Sequence, residues 1–82
     1  MARLASKSEI ELYVINKAKE MRLKANMSQK DLAFKLDLSV GFLGHIESPK
    51  KPAKYNLNHI NKLAEIFNCS PKDFLPQEKI KI

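Results

Sequence analysis

The chain has 82 residues, enough for one domain that buries roughly 60% of the surface an unfolded chain exposes, and too few for a deep cleft between two lobes. Fifteen Lys and Arg against nine Asp and Glu give a net charge of +6 and a pI near 9.6, which favours an acidic partner. The single cysteine, Cys69, excludes an internal disulfide, it shares no zinc-ligand spacing with His45 and His59, and no stretch reaches the roughly 18 apolar residues of a membrane span, so a soluble cytoplasmic chain with no cofactor is expected.

Residues 1–8 read as a flexible N-terminal arm, 9–75 as a helical domain and 76–82 as a charged tail. Ser8 followed by Glu11 is a capping-box spacing, in which each side chain satisfies an amide left unpaired at a helix start. A helix of about four turns should follow, burying Ile10, Tyr13, Val14, Ala18 and Met21 at three- and four-residue steps and ending near Lys24 and Asn26. Ser28 and Asp31 repeat the signature. They open a second, short helix with Leu32, Ala33 and Leu36 inward, stopping at Asp37.

Ser39 caps a third helix carrying Phe42, Leu43 and Ile46, and Pro49 and Pro52 forbid its extension much beyond Glu47. Residues 48–55 are therefore a loop. Asn56 caps a fourth helix with Leu57, Ile60, Leu63, Ala64 and Phe67 inward, and Ser70 with Pro71 opens a fifth, after which Phe74 and Leu75 should close the core. The chain lacks hairpin turns and β-branched alternation, so the expected fold class is all-α, a compact five-helix bundle.

Two of these helices, spanning residues 29–46, are separated by Asp37-Leu38-Ser39, the turn length of a tight helix-turn-helix. Leu32, Leu36, Leu38, Leu43 and Ile46 point into one wedge, and Ala33 is small where the two helices must cross. Met27-Ser28-Gln29-Lys30-Asp31-Leu32-Ala33, Leu36-Asp37-Leu38-Ser39 and Phe42-Leu43-Gly44-His45-Ile46-Glu47 together resemble the lambda-repressor and Cro family, also called Xre-like. The segment from Asn56 to Pro71 resembles that family's fourth helix and its link to a fifth, so the likeness spans about residues 10–75.

The resemblance implies a third helix that enters the major groove of double-stranded DNA. It implies that Gln29 contacts a phosphate and braces that helix, and that Ser39, Val40, Gly41, Gly44 and His45 face base edges with Phe42 at the flank. It further implies a structural ion pair between Arg22 and Glu47, setting the tilt of the recognition helix. Val40 stands where the family commonly has Gln or Arg, which leaves a thymine methyl as the only base feature it suits and predicts modest specificity. Asp37 replaces the family's turn glycine, and aspartate tolerates the left-handed backbone such a turn needs.

Lys50, Lys51 and Lys54 follow the third helix with no acidic residue between Glu47 and Glu65, and are placed to meet a phosphate backbone, the alternative being a solvated loop. Tyr55 and Asn56 are further candidates for phosphate, with capping an equal explanation for Asn56. Arg3 and Lys7 could extend the contact as an arm, or belong to a disordered terminus. His59 reads as an ordinary surface or partly buried side chain and Cys69 as a small buried hydrophobe. Leu12, Ile15 and Phe34 fall off the expected core faces and mark a homodimer contact or a protein-partner site, the alternative being extra packing by the first helix.

The leading function is sequence-specific DNA binding in a transcriptional regulator. The alternative is a protein-interaction module of the same fold, an antitoxin or partner-binding adaptor that docks through Val40 and Phe42. No paired carboxylates, nucleophile and base set, or phosphate-cradling glycine loop supports an enzyme.

Overall fold

A computed structural model describes residues 7–82, in which four α-helices precede a single 3-10 turn: α1 (Glu9–Lys24), α2 (Gln29–Leu36), α3 (Val40–Glu47), α4 (Leu57–Phe67) and the turn Pro71–Phe74. The fifth element is thus shorter than the expected helix. Pro71 starts it, the Ser70 hydroxyl accepts from the Lys72 amide, and Leu75 leaves in an extended conformation that stops any further winding.

Local chemistry sets the helix ends. The Ser8 hydroxyl accepts from the Glu11 amide while the Glu11 carboxylate accepts from the Ser8 amide, and the same reciprocal pair joins Ser28 and Asp31. Ser39 accepts from the Phe42 amide. Asn26, Asp37 and Asn68 all adopt the left-handed conformation, with φ of 57°, 60° and 56°, just beyond the ends of α1, α2 and α4. Each lets the next amide reach back, from Met27 to the Arg22 carbonyl, Leu38 to Ala33 and Cys69 to Ala64, which closes three of the four helices without glycine.

The core is one cluster: Val14, Ile15 and Ala18 of α1, Leu32, Ala33 and Leu36 of α2, Leu43 and Ile46 of α3, Ile60, Leu63 and Ala64 of α4, and Phe74. Phe74, Leu32, Leu43, Ile46 and Leu63 are wholly enclosed. Burying each such side chain contributes about 1.5–3 kcal/mol, so the helix-turn-helix pair is held mainly by its wedge of aliphatic residues. Met21, Met27, Leu38, Ala53, Tyr55, Ile66, Phe67 and Cys69 pack around the edge. Burial, with Asp73 beside it, pushes the Cys69 thiol above its ordinary pKa and keeps it from the reactive thiolate form.

Several expected core assignments are corrected. Ile10 and Tyr13 stay 43% and 40% exposed, whereas Ile15 is buried, so the inward stripe of α1 keeps Val14 and Ala18 as expected but is rotated toward Ile15. Apolar residues at positions 10, 12, 13, 14 and 15 wrap most of the helix, and contact with α3 and the 3-10 turn selects among the stripes. Leu57, the first residue of α4, is 85% exposed, and Leu75 is 46% exposed. Phe34 stands off the core at 83% exposure, as its register predicts.

Candidate nucleic-acid interface

Leu43 and Ile46 lie three residues apart on α3 and are fully buried, which turns the opposite side of this eight-residue helix outward. Ser39, Val40, Gly41, Phe42 and His45 are exposed, and Gly44 is half-buried beside α2. The six residues expected to meet DNA therefore share one side and its flank. Gly41 and Gly44 both have negative φ. A Cβ at Gly41 would meet nothing within 4 Å, and one at Gly44 would meet only Gln29 Oε1, at 3.8 Å.

A polar network fixes the other end of α3. Arg22 donates from Nε and Nη2 to the two carboxylate oxygens of Glu47, at 3.0 and 2.9 Å, and from Nη1 to the Met27 carbonyl at 2.8 Å. One guanidinium thus ties the end of α1, the turn before α2 and the last residue of α3, and its planar fork matches the carboxylate in a way a lysine would not. Gln29 Nε2 donates to Glu47 Oε1 at 2.9 Å. One hydrogen of the Gln29 amide nitrogen thus braces α3, which leaves the second as a donor, and its oxygen lies beside Gly44.

The loop 48–55 departs from the sequence expectations at Lys54 and Tyr55. Lys54 Nζ is 3.0 Å from Glu11 Oε2, a surface ion pair that engages it with α1, while Lys50 and Lys51 are exposed along the loop. The Tyr55 hydroxyl is buried with no hydrogen-bond partner, so it does not reach a phosphate; enclosure raises its pKa far above the ordinary range. Asn56 acts as the cap of α4, accepting from the His59 amide at 2.8 Å.

Lys7 carries the largest correction. It is only 2% exposed, and its ammonium donates to the carbonyls of His45, at 3.2 Å, Ile46, at 2.7 Å, and Ser48. Burial, then the neighbouring Lys54, lowers its pKa, while Glu11 opposes that shift. It is no part of an arm. Arg3, the other candidate, lies outside the described residues.

Two participating residues escaped the sequence reading. The spacing of Glu11 from Ser8 signals only a cap, and nothing local points to its pairing with Lys54, 43 residues along the chain. His59 did carry a signal: Asn56-x-x-His59 has the capping-box spacing, and its Nδ1 accepts from the Asn56 amide at 3.0 Å where Glu or Gln usually does so.

This arrangement presents one short helix, anchored by two buried aliphatic side chains and an ion pair, with a glycine-bearing face beside exposed lysine. Residues 17–78 match the Cro/C1-type HTH DNA-binding domain. The chain belongs to that family. It is similar to the control protein C.BamHI of Bacillus amyloliquefaciens, with 35% identity over 69 residues, 83% of either chain. No solved structure shows significant similarity. As a member of the Cro/C1-type family it is a DNA-binding protein, and among the described residues no helix is long and apolar enough to cross a membrane.

Proposed function

We propose that the chain is a transcriptional regulator that docks α3 in the major groove of double-stranded DNA, with Ser39, Val40, Gly41, Phe42, Gly44 and His45 toward the bases and Gln29, Lys50 and Lys51 toward flanking phosphates. The pair of glycines carries this reading. Each costs a helix about 1 kcal/mol relative to alanine, yet neither needs a left-handed backbone and neither lies where a Cβ would clash. Folding has no use for them, whereas a helix side without side chains lets a base edge or phosphate approach the backbone. The control-protein relative fits a regulatory role.

A second copy of the chain is the partner that completes this reading. An apolar groove of about 390 Å³ runs between the starts of α1 and α4, lined by Val14, Tyr55 and Ile60 and rimmed by exposed Ile10, Leu57 and Leu75. Glu11 and Lys54 lie at its edge with opposite charges, which suits a self-complementary contact across a two-fold axis. Such a dimer would read two half-sites about 34 Å apart. The reading places the chain in the cytoplasm and assigns it neither catalysis nor cofactor.

Val40 and Phe42, 50% and 39% exposed, favour a second reading in which α3 docks a protein instead, as in an antitoxin or adaptor. Duplex titration at several salt concentrations decides between them. DNA binding through phosphates gives a log-log slope of about −0.9 per phosphate neutralised, and Lys51→Ala should flatten it by about one such increment. No duplex binding at low salt overturns the DNA reading.

A further inference from the structure

Among the described α-helices, α3 alone ends without a left-handed residue. Its cap, Ser48, is extended at φ −88° and ψ 125°, and the Ser48 amide reaches only the His45 carbonyl, at 3.2 Å. The remaining carbonyls at that end would be left to water, with the negative end of the helix dipole unopposed. Lys7, 38 to 41 residues away in sequence, supplies what the chain omits there: its ammonium donates to His45, Ile46 and Ser48 together. An ammonium that reached for phosphate would remain in water, whereas this one is almost entirely enclosed.

A second contact acts on the far end of the same loop. Glu11, in the first turn of α1, accepts from the Ser8 amide at 2.8 Å and holds Lys54 at 3.0 Å. Ser48 and Lys54 are thus both fastened to the start of α1, Ser48 by Lys7 just ahead of the Ser8 cap and Lys54 by Glu11 in the first turn, and the segment between them carries Lys50 and Lys51. Within it the Lys51 amide donates to the Ser48 carbonyl at 3.3 Å, and the Lys50 amide to the Ser48 hydroxyl at 3.3 Å.

We infer that residues 7–11, the entry to α1, form a clamp for DNA binding: Lys7 and Glu11 are positioning residues that hold residues 48–54 at both ends, so that Lys51 meets the phosphate backbone from a preset place. Holding the loop before the encounter removes the ordering cost that a free loop would add on binding. The inference rests on the reading of α3 and its following loop as the DNA-facing surface.

The test compares the full chain with Lys7→Met and Glu11→Gln, using a single duplex selected by the wild-type chain from a random pool. Lys7→Met should weaken binding on the order of tenfold and Glu11→Gln several-fold, with the salt slope unchanged because the same phosphates are neutralised. Amide exchange at Lys50 and Lys51 should quicken in both variants while α2 and α4 keep their protection; general destabilisation would speed all of them. Wild-type affinity in both variants overturns the clamp, as does a Lys7→Met slope flatter by about 0.9, which would make Lys7 itself a phosphate contact. Should Lys7→Met fail to fold, Glu11→Gln decides by the same two readouts. Should the wild-type chain bind no duplex, the DNA reading falls and the clamp's role in binding falls with it, and the loop exchange rates then decide only whether Lys7 and Glu11 hold the loop.

Discussion

Arg22 and Glu47 meet across 25 positions of sequence in a two-point ion pair whose side chains are 7% and 2% exposed. Desolvating both charges offsets much of their attraction, so the pair's main effect is to hold α3 at one tilt. Removing one partner is different, because the other charge is then stranded out of water. Arg22→Ala should lower unfolding free energy by about 3–5 kcal/mol in urea denaturation, and replacing both residues by apolar ones of similar volume should restore most of it. A loss below about 1 kcal/mol for Arg22→Ala would contradict the burial of Glu47.

Gly41→Ala and Gly44→Ala should each raise stability by about 1 kcal/mol, since helix propensity improves and no atom stands in the way of the added methyl. The same variants should bind duplex more weakly. Thermal unfolding and titration read the two effects separately, and a variant both more stable and equally tight in binding would show that the DNA does not approach that side of α3.

Stability should depend on pH through His59. Burial holds its pKa below the ordinary 6.5, and its Nδ1 can accept from the Asn56 amide only while the ring is neutral. The unfolded chain therefore binds a proton that the folded chain resists. Stability is fully present above about pH 6.5 and declines as pH falls from there toward the lower folded value. Urea midpoints on either side of this window should differ in the wild type, and His59→Gln, which keeps a cap acceptor without titrating, should lose that part of the difference.

Val40→Gln places an amide at a half-exposed position in the first turn of α3. Stability should change by no more than about 0.5 kcal/mol. Selection of sites from random duplexes should reveal a new preference for adenine at one position, because a glutamine amide can pair with both adenine groups in the major groove. If α3 instead docks a protein, the substitution abolishes that complex and leaves duplex preference unaltered.

Leu57→Lys should leave the fold intact, as the side chain is 85% exposed and lies at the first residue of α4. A dimer built on the groove beside it would bury a charge against apolar neighbours. Sedimentation should show the variant as a monomer at concentrations where the wild type is dimeric; an unchanged dimer would place the contact on another face.

The residues that cap each helix and those that form the α2–α3 wedge could be read from the chain because they act within four residues or repeat with the helical period. Ser8, Ser28, Ser39, Asn56 and Ser70 mark every start, and Leu43 with Ile46 orients α3. The Arg22–Glu47 pairing came from family likeness, since neither residue signals the other locally. Lys54 and Tyr55 looked available for DNA only because a loop carries no period that tells a bound side chain from a free one.

What the amino-acid order determines alone is therefore the set of helices, the turn between α2 and α3, and the side of α3 that stays in solvent, all consequences of short-range hydrogen bonding and apolar spacing. Tertiary packing decides which stripe of α1 is buried, that Leu57 and Leu75 remain outside, and that Lys7 and Glu11 reach the loop beyond α3. Those choices are made by surfaces that meet only after the helices assemble, and contacts between positions some forty residues apart leave no periodic trace in sequence.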